Sequence, residues 1–402
     1  MKSKPEILIC LPDLPYPARK NGISIRYFPI LRHISQFFRV HLLCIVDIPP
    51  QRDEIEQAEK DCEHISIHVR QKKPVSTLTK LILRTSSLIP SLNDVPFSYL
   101  CYDQKNIEQF IKTETRGKTY SVALCVCANY AHLIKKHINA DKYSLDFIDS
   151  PFATELRKCD GSYLAKLDLL AIKKWEEGLI KKYDATSYIS PLDKEIGTKD
   201  FQPEYDINII PNGLFQTDQT SEKINYGEKT IGYLGNMSYP PNVKAALRLH
   251  RIFSQNRERY CNAKLVIIGR DPSPEINELQ QDPSVIITGN VDNIWPYING
   301  IDIFVFPMEI GSGQQNKILE TMGAGKVVIT TDLGNSGIGA KNGYNIVVAN
   351  EDQDIANHIE RFINAPDNYA FISSNAKAFI STEYDWPKIN ERFCNRMLAI
   401  NP

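Results

Sequence analysis

Apolar residues along the 402-residue chain fall in short runs separated by amphipathic stretches. That rhythm predicts parallel strands alternating with helices that cover a sheet. In the first half the runs are EILICL, RVHLLCIV, HISIHV, SVALCVC, YSLDFID, ATSYIS and INIIPNG. In the second half they are TIGYLG, AKLVIIG, VIITG, IDIFVFP, KVVITT and NIVVAN. Between them, residues 211–230 carry turn formers and charges but no apolar period, and read as a linker. The expectation is an α/β chain of two doubly wound, parallel-sheet, Rossmann-like domains facing a deep cleft. No fixed-period repeat or low-complexity tract appears, which sets aside solenoid and disordered readings.

Length and composition narrow the partners. A chain of this length suits two or three domains. Lys and Arg total 47 against 48 Asp and Glu, so no global basic field points to nucleic acid. Nine cysteines without a C-x-x-C spacing suit neither a disulfide framework nor a zinc site, and a reduced, cytoplasmic setting is expected. Cys125 and Cys127 read as small buried hydrophobes rather than a redox pair. The apolar run at the N-terminus is too short for a signal peptide, and nothing approaches the ~20 apolar residues of a membrane span. One basic stretch carries Arg70, Lys72, Lys73, Lys80 and Arg84 beside Leu78, Leu81, Ile82 and Leu83. It suits either peripheral contact with an anionic membrane at its inner face or a solvated helix face.

Ligands of open parallel sheets bind beyond the carboxyl ends of strands, where loops lead into helices. After IDIFVFP comes GSGQQNKILETMGAGKVVITT. Gly311 and Gly313 let the backbone approach a ligand, and the helix behind them aims free N–H groups and a positive dipole at the same point. On that helix Ile318, Leu319 and Met322 form the face toward the sheet, while Lys317 and Glu320 share another. A lysine neutralises phosphate and a carboxylate accepts both vicinal hydroxyls of a ribose, which outlines a nucleoside diphosphate. The same spacing also suits a surface ion pair.

Three further loops stand out. After TIGYLG, Gly235 ends the strand and a helix is expected to begin near Asn242, with Pro240 and Pro241 in a turn or at a first helical position. Asn236, Ser238 and Asn242 are neutral donors for a phosphate or ordinary turn formers. After EILICL, Gly22 marks a strand-to-helix turn, Ser24 is the expected N-cap, and Pro29 suits a helix only in its first turn. Arg19, Lys20 and Arg26 offer positive charge there. After YSLDFID, Asp149 is placed as a base or hydroxyl binder, or as the cap of the next helix. No strand is followed by G-x-G-x-x-G, and neither a P-loop nor a nucleophile elbow is present. GNSGIG at 334–339 has its glycines in another order. The Asp-x-Asp of EDQDI reads as helix N-terminal acid rather than as a metal site.

GYLGNMSYPPNVKAAL, LVIIGRDPSPEI, ITGNVDNIWPYI, the Gly311 stretch and PYPARKNGISIRYFPILRHI together resemble the family 4 glycosyltransferases of the GT-B fold. The likeness covers nearly the whole chain and is strongest to the bacterial branch that builds exopolysaccharide, capsule or lipopolysaccharide. It implies retaining, metal-independent transfer of a sugar from a nucleotide sugar, UDP- or GDP-linked, to a glycan or lipid-linked acceptor, with no further cofactor. It implies an acceptor domain at 1–215 joined by a returning helix at 383–402, and a nucleotide domain at 226–380. Glu320 matches the second glutamate of the family's E-x7-E motif, and Lys317 the basic residue of its K-x-x-E form. Gly311, Ser312, Gly313 and Gln314 match the segment under the diphosphate. Gly22 matches the N-terminal glycine loop, and Gly235, Asn236 and Asn242 fall in the corresponding loop of the second domain. Arg270 is expected to approach the donor, and the NVDN loop, with Val291 and Asp292, to lie beside the base. Lys317, Glu320 and Asp149 are the expected catalytic set. Two departures stand out: Ser312 replaces the motif's first glutamate, and Asn236 with Pro241 or Asn242 replaces the Arg and Lys of the phosphate loop. The rival enzyme is a nucleotide-sugar epimerase of the same architecture; the rival of another class is a non-catalytic sugar-binding assembly partner.

Overall fold

The computed structural model describes residues 4–398, apart from 19, 72–94, 97–98, 100–102, 160, 215–221 and 312. All the predicted apolar runs become strands. The first sheet contains β1 (Glu6–Leu11), β2 (Arg39–Val46), β3 (His64–Val69), β4 (Tyr120–Val126), β5 (Ala140–Ile148), β6 (Ala185–Tyr188) and β7 (Asn208–Ile209), in the order β3-β2-β1-β4-β5-β6-β7. The second contains β8 (Thr230–Leu234), β9 (Lys264–Ile268), β10 (Val285–Ile287), β11 (Ile303–Phe306), β12 (Val327–Thr330) and β13 (Val347–Val348), in the order β10-β9-β8-β11-β12-β13. Neighbouring strands are parallel throughout. Unbroken apolar runs such as Ile7–Leu11 and Ile303–Phe306 are buried along their whole length, as strands with both faces covered must be. The strand order reverses between β1 and β4 in one sheet and between β8 and β11 in the other, which puts the ligand-binding crevice of such a fold at the loops after those strands.

The chain forms two compact units, 1–212 with 387–402, and 213–386. The last helix, Trp386–Met397, packs within the first unit. There Phe393 meets Tyr27 edge-on at 6.4 Å, Asn390 Nδ2 donates to the Pro29 carbonyl at 3.3 Å, and Ser144 Oγ donates to the Met397 carbonyl.

Two local expectations need correction. Helix Gly22–Ile34 is capped by Asn21, not Ser24: Asn21 Oδ1 accepts the Ser24 N–H at 3.0 Å, and Ser24 Oγ accepts the Asn21 N–H at 2.8 Å. Ser24 is thus the third helical residue of a capping box. Pro29 lies inside this helix, past its first turn. The buried face of Tyr27, Ile30, Leu31 and Ile34 outweighs the lost backbone hydrogen bond. The helix after β8 starts at Pro240 with both prolines at its first positions, so Asn242 sits within the first turn.

Candidate active site

In the second unit, β11 runs through Pro307 into a glycine loop and then helix Asn316–Gly323. Ile318, Leu319 and Met322 are buried, each contributing about 1.5–3 kcal/mol of transfer free energy, and they fix the rotation of the helix. That rotation carries Lys317 inside, so the surface ion-pair reading fails. Lys317 Nζ donates to Asn242 Oδ1 at 2.5 Å and to the Tyr233 hydroxyl at 3.3 Å, and stands over the Tyr233 and Phe306 rings at 5.4 and 5.9 Å. These partners are neutral, and burial pulls the ammonium pKa down to about 7. A cation in such a place is stabilised by any anion that reaches it. Glu320, one turn on, is half-buried.

Glycines shape the walls. Gly313 has φ +63°, and its carbonyl lies so close to Gly337 that a Cβ there would sit 2.2 Å from it. The glycines of GNSGIG therefore press the loop after β12 against the Gly311–Gly313 loop, a role their order in sequence did not disclose. Gly311 is half-buried and Gln314 buried; Ser312 lies outside the described residues. The loop is also held from its neighbours, with Thr331 Oγ1 donating to the Met308 carbonyl at 2.8 Å and Arg248 to that of Pro307 at 3.3 Å.

The loop after β8 is wired to Lys317 through Asn242. Asn242 Nδ2 donates to the Asn236 carbonyl at 3.0 Å, and a Cβ on Gly235 would meet that amide at 2.8 Å. Asn236 Oδ1 accepts the N–H and hydroxyl of Ser238 at 2.9 and 2.8 Å, so these two residues build the turn itself. Three loops zip together here. Gly235 N–H donates to the Ile268 carbonyl and Met237 N–H to that of Arg270, while Gly269 N–H reaches Thr288 Oγ1 and Asp271 N–H reaches Asn290 Oδ1. Arg270 and Asp292 project as exposed side chains and Val291 is half-buried.

In the first unit Gly22 is exposed at the start of its helix. The positive charge expected nearby is already committed. Lys20 pairs with Glu54 at 2.9 Å, and Arg19 lies outside the described residues. Arg26 is fully buried, with Nε on Asp146 Oδ2 at 2.8 Å and a terminal nitrogen on Asn212 Oδ1 at 3.2 Å. Asp146 also accepts the Tyr27 hydroxyl at 2.5 Å and Ser187 Oγ at 2.7 Å. Sequence reading passed over Asp146; its signal was a lone acid inside the apolar run YSLDFID.

Asp149, next along, is half-buried. It does not cap the following helix. Ser150 does, accepting the Ala153 N–H at 3.1 Å. Burial, and then the like charge of Asp193, push the Asp149 carboxyl up to about 6. Glu176 is fully buried, accepting the Tyr188 hydroxyl at 2.5 Å, the Phe152 N–H at 2.8 Å and Ser150 Oγ at 3.1 Å, and burial pushes it up to about 7. The Cys127 thiol is likewise pushed up to about 12, which makes it a poor nucleophile. Among the described residues no group of three or more His, Cys, Asp or Glu could hold a metal, and no helix is long and apolar enough to cross a membrane. Of the basic stretch, Arg70 pairs with Asp47 at 2.5 Å, while Lys72, Lys73, Lys80 and Arg84 lie outside the described residues.

Residues 228–365 match the family described as glycosyl transferases group 1. Over 96% of the chain and 97% of the relative, the sequence is 26% identical to an uncharacterized 44.6 kDa protein in the cps region of Klebsiella pneumoniae. Among solved structures it is similar to sucrose-phosphate synthase from Thermosynechococcus elongatus, with TM-score 0.70, 14% identity and 97% of each chain covered. It is also similar to Anabaena HepE in complex with UDP-glucose, with TM-score 0.65, 14% identity, and 98% of this chain and 100% of that one covered. These likenesses join the strand orders and the glycine-walled helix end: the chain is a glycosyltransferase of the GT-B fold, and its residues 228–365 match the group 1 glycosyl transferases.

Proposed function

We propose that this glycosyltransferase moves a sugar, with retention and without a metal, from a nucleoside-diphosphate sugar to a hydroxyl of a glycan or lipid-linked glycan in cell-surface polysaccharide synthesis. One observation carries the reading: a buried ammonium with neutral partners, behind a glycine loop and in the first turn of a helix. As the glycosidic bond breaks, negative charge grows on the leaving phosphate oxygen. Lys317 and the amides of Gly313 and Gln314 are fixed before that charge appears, so they stabilise the transition state more than the bound donor. Same-face attack lets the departing phosphate take the proton of the incoming hydroxyl. Glu320 holds the ribose; Arg270, Val291 and Asp292 lie on the side of the donor and its base; Gly235, Asn236 and Asn242 shape the phosphate wall. The first unit, with Gly22 and Asp149, takes the acceptor at the cytoplasmic face of the membrane. UDP-glucose in the complex of HepE and the cps location of the Klebsiella relative support the donor class and the pathway.

Calorimetry with UDP and GDP tests the donor site. One of the two binds the wild-type protein, and Glu320→Ala weakens it by about 10-fold or more while the melting temperature holds. Equal binding by the wild type and Glu320→Ala would remove the ribose assignment. Release of free nucleotide only when acceptor is present separates transfer from epimerisation.

A further inference from the structure

The carboxyl ends of β4 and β5 hold two backbone conformations that side chains rarely adopt. Cys127 has φ 62° with ψ 152°, and Ile148 has φ 63°. A β-branched residue at positive φ is a true outlier, and such conformations persist only where the surroundings over-determine them. Around Ile148 the cause is Asp146. Its Oδ1 accepts the Ile148 N–H at 3.2 Å and Ser187 Oγ at 2.7 Å, while its Oδ2 accepts Arg26 Nε at 2.8 Å and the Tyr27 hydroxyl at 2.5 Å. The register of β5 against β6 shifts between Asp146 and Ile148, so the strand bulges where the carboxylate bridges it. The Ile148 carbonyl is pinned in turn by the Ile189 N–H at 2.7 Å, and the Cys127 N–H donates to the Asp146 carbonyl at 2.8 Å. Both outliers are thus tied to one residue, and the chain leaves them at Asp149.

We propose that Asp146 is a positioning residue: held by Arg26, Tyr27 and Ser187, it enforces the left-handed turn at Ile148, and that turn presents the Asp149 carboxyl to the acceptor hydroxyl. This rests on the reading of the first unit as the acceptor side. The charged groups acting on Asp149 are Asp193, Arg157, Arg26 and Asp146, and the carboxyl itself acts on Cys127 and Tyr99. A carboxyl fixed among these groups, half out of water, keeps its raised proton affinity only while the turn holds it there.

The test follows the Asp149 carboxyl by carbon-13 NMR of aspartate-labelled protein, with Asp149→Asn assigning the resonance. UDP release from UDP-glucose in the presence of a lipid-linked glycan extract as acceptor reports turnover, and calorimetry with UDP reports the donor site. Ile148→Pro forbids the positive φ, removes the N–H that Asp146 accepts and leaves both aspartates in place; Ile148→Asn keeps a residue that tolerates positive φ. In Ile148→Pro the titration midpoint falls by about one pH unit toward the ordinary carboxylate range and turnover falls about tenfold, with UDP affinity held. Ile148→Asn stays within about threefold of wild type in turnover and keeps the midpoint. Asp146→Asn, if it folds, behaves like Ile148→Pro, because an amide nitrogen facing the Ile148 N–H cannot accept it. A wild-type midpoint and turnover in Ile148→Pro or Asp146→Asn overturns the positioning role, as does a tenfold loss of turnover in Ile148→Asn. Wild-type turnover in Asp149→Asn overturns instead the reading of Asp149 as the group that meets the acceptor, so the two failures are told apart.

Discussion

The two sheets share one strand order around their switch points, yet the loops above them are built from opposite materials. In the second unit they are glycine and amide around a lysine that donates to the neutral Asn242 and Tyr233. In the first unit the cations are already paired with Glu54 and Asp146, and the carboxylates of Asp149 and Glu176 hold their protons unusually well. A diphosphate placed over those loops would find Lys20 and Arg26 already neutralised; a hydroxyl would find the half-buried Asp149 carboxyl. The same topology therefore yields an anion site or a hydroxyl site according to which charges the loops leave uncompensated.

The largest expected effect breaks the contrast from the second unit. Lys317→Met keeps the packing and removes the charge, and should weaken UDP binding by about 2–3 kcal/mol, near a hundredfold, with the melting temperature held. Calorimetry decides it; an unchanged dissociation constant would erase the distinction between the units. Gly337→Ala comes next. Its Cβ meets the Gly313 carbonyl, so the glycine loop must shift, costing about 1–3 kcal/mol in UDP affinity, stability or both. Wild-type values for both in this variant would show the loop to be slack.

Proton linkage sharpens the same contrast. Glu176 holds its proton to about pH 7 when folded, well above an unfolded glutamate. Its contribution is fully present below the unfolded pKa and lost as pH rises through 7. Chemical denaturation should show the first unit losing about 2 kcal/mol between pH 5 and 7.5, and Glu176→Gln should flatten that slope. A slope unchanged by the substitution would place the lost proton elsewhere. Lys317 behaves in the opposite sense, since its folded pKa is depressed and its ammonium is lost above about pH 7. Between pH 7 and 9 a diphosphate stays ionised, so UDP affinity should fall by up to about tenfold per pH unit, with close to one proton taken up per UDP at pH 8. Enthalpies measured in buffers of differing ionisation heat give that number directly; zero uptake would mean that the ligand does not reach Lys317.

The fold is legible in the sequence itself. The strands can be read because parallel strands buried on both faces must be apolar without interruption, whereas the burial of Lys317 cannot, because its spacing on the helix suits a surface ion pair equally well. Other features depend on partners far away in sequence. Arg26 and Asp146 are 120 positions apart, so neither advertises the other, and a positive φ at Ile148 leaves no mark in composition. Pro29 was misjudged because a local rule about helices was overruled by packing. Gly337 was missed because its reason for being glycine is the backbone of another loop.

The returning helix fixes an order of events during synthesis. Ribosomes release the chain from its N-terminus, yet Tyr27, Pro29 and Ser144 take partners from residues 390–397. The unit that emerges first therefore cannot close its surface until the final turns have left the exit tunnel, by which time the other unit has had the opportunity to fold. A premature stop codon near the end would leave the second unit whole and the older half of the molecule open to proteases and to aggregation.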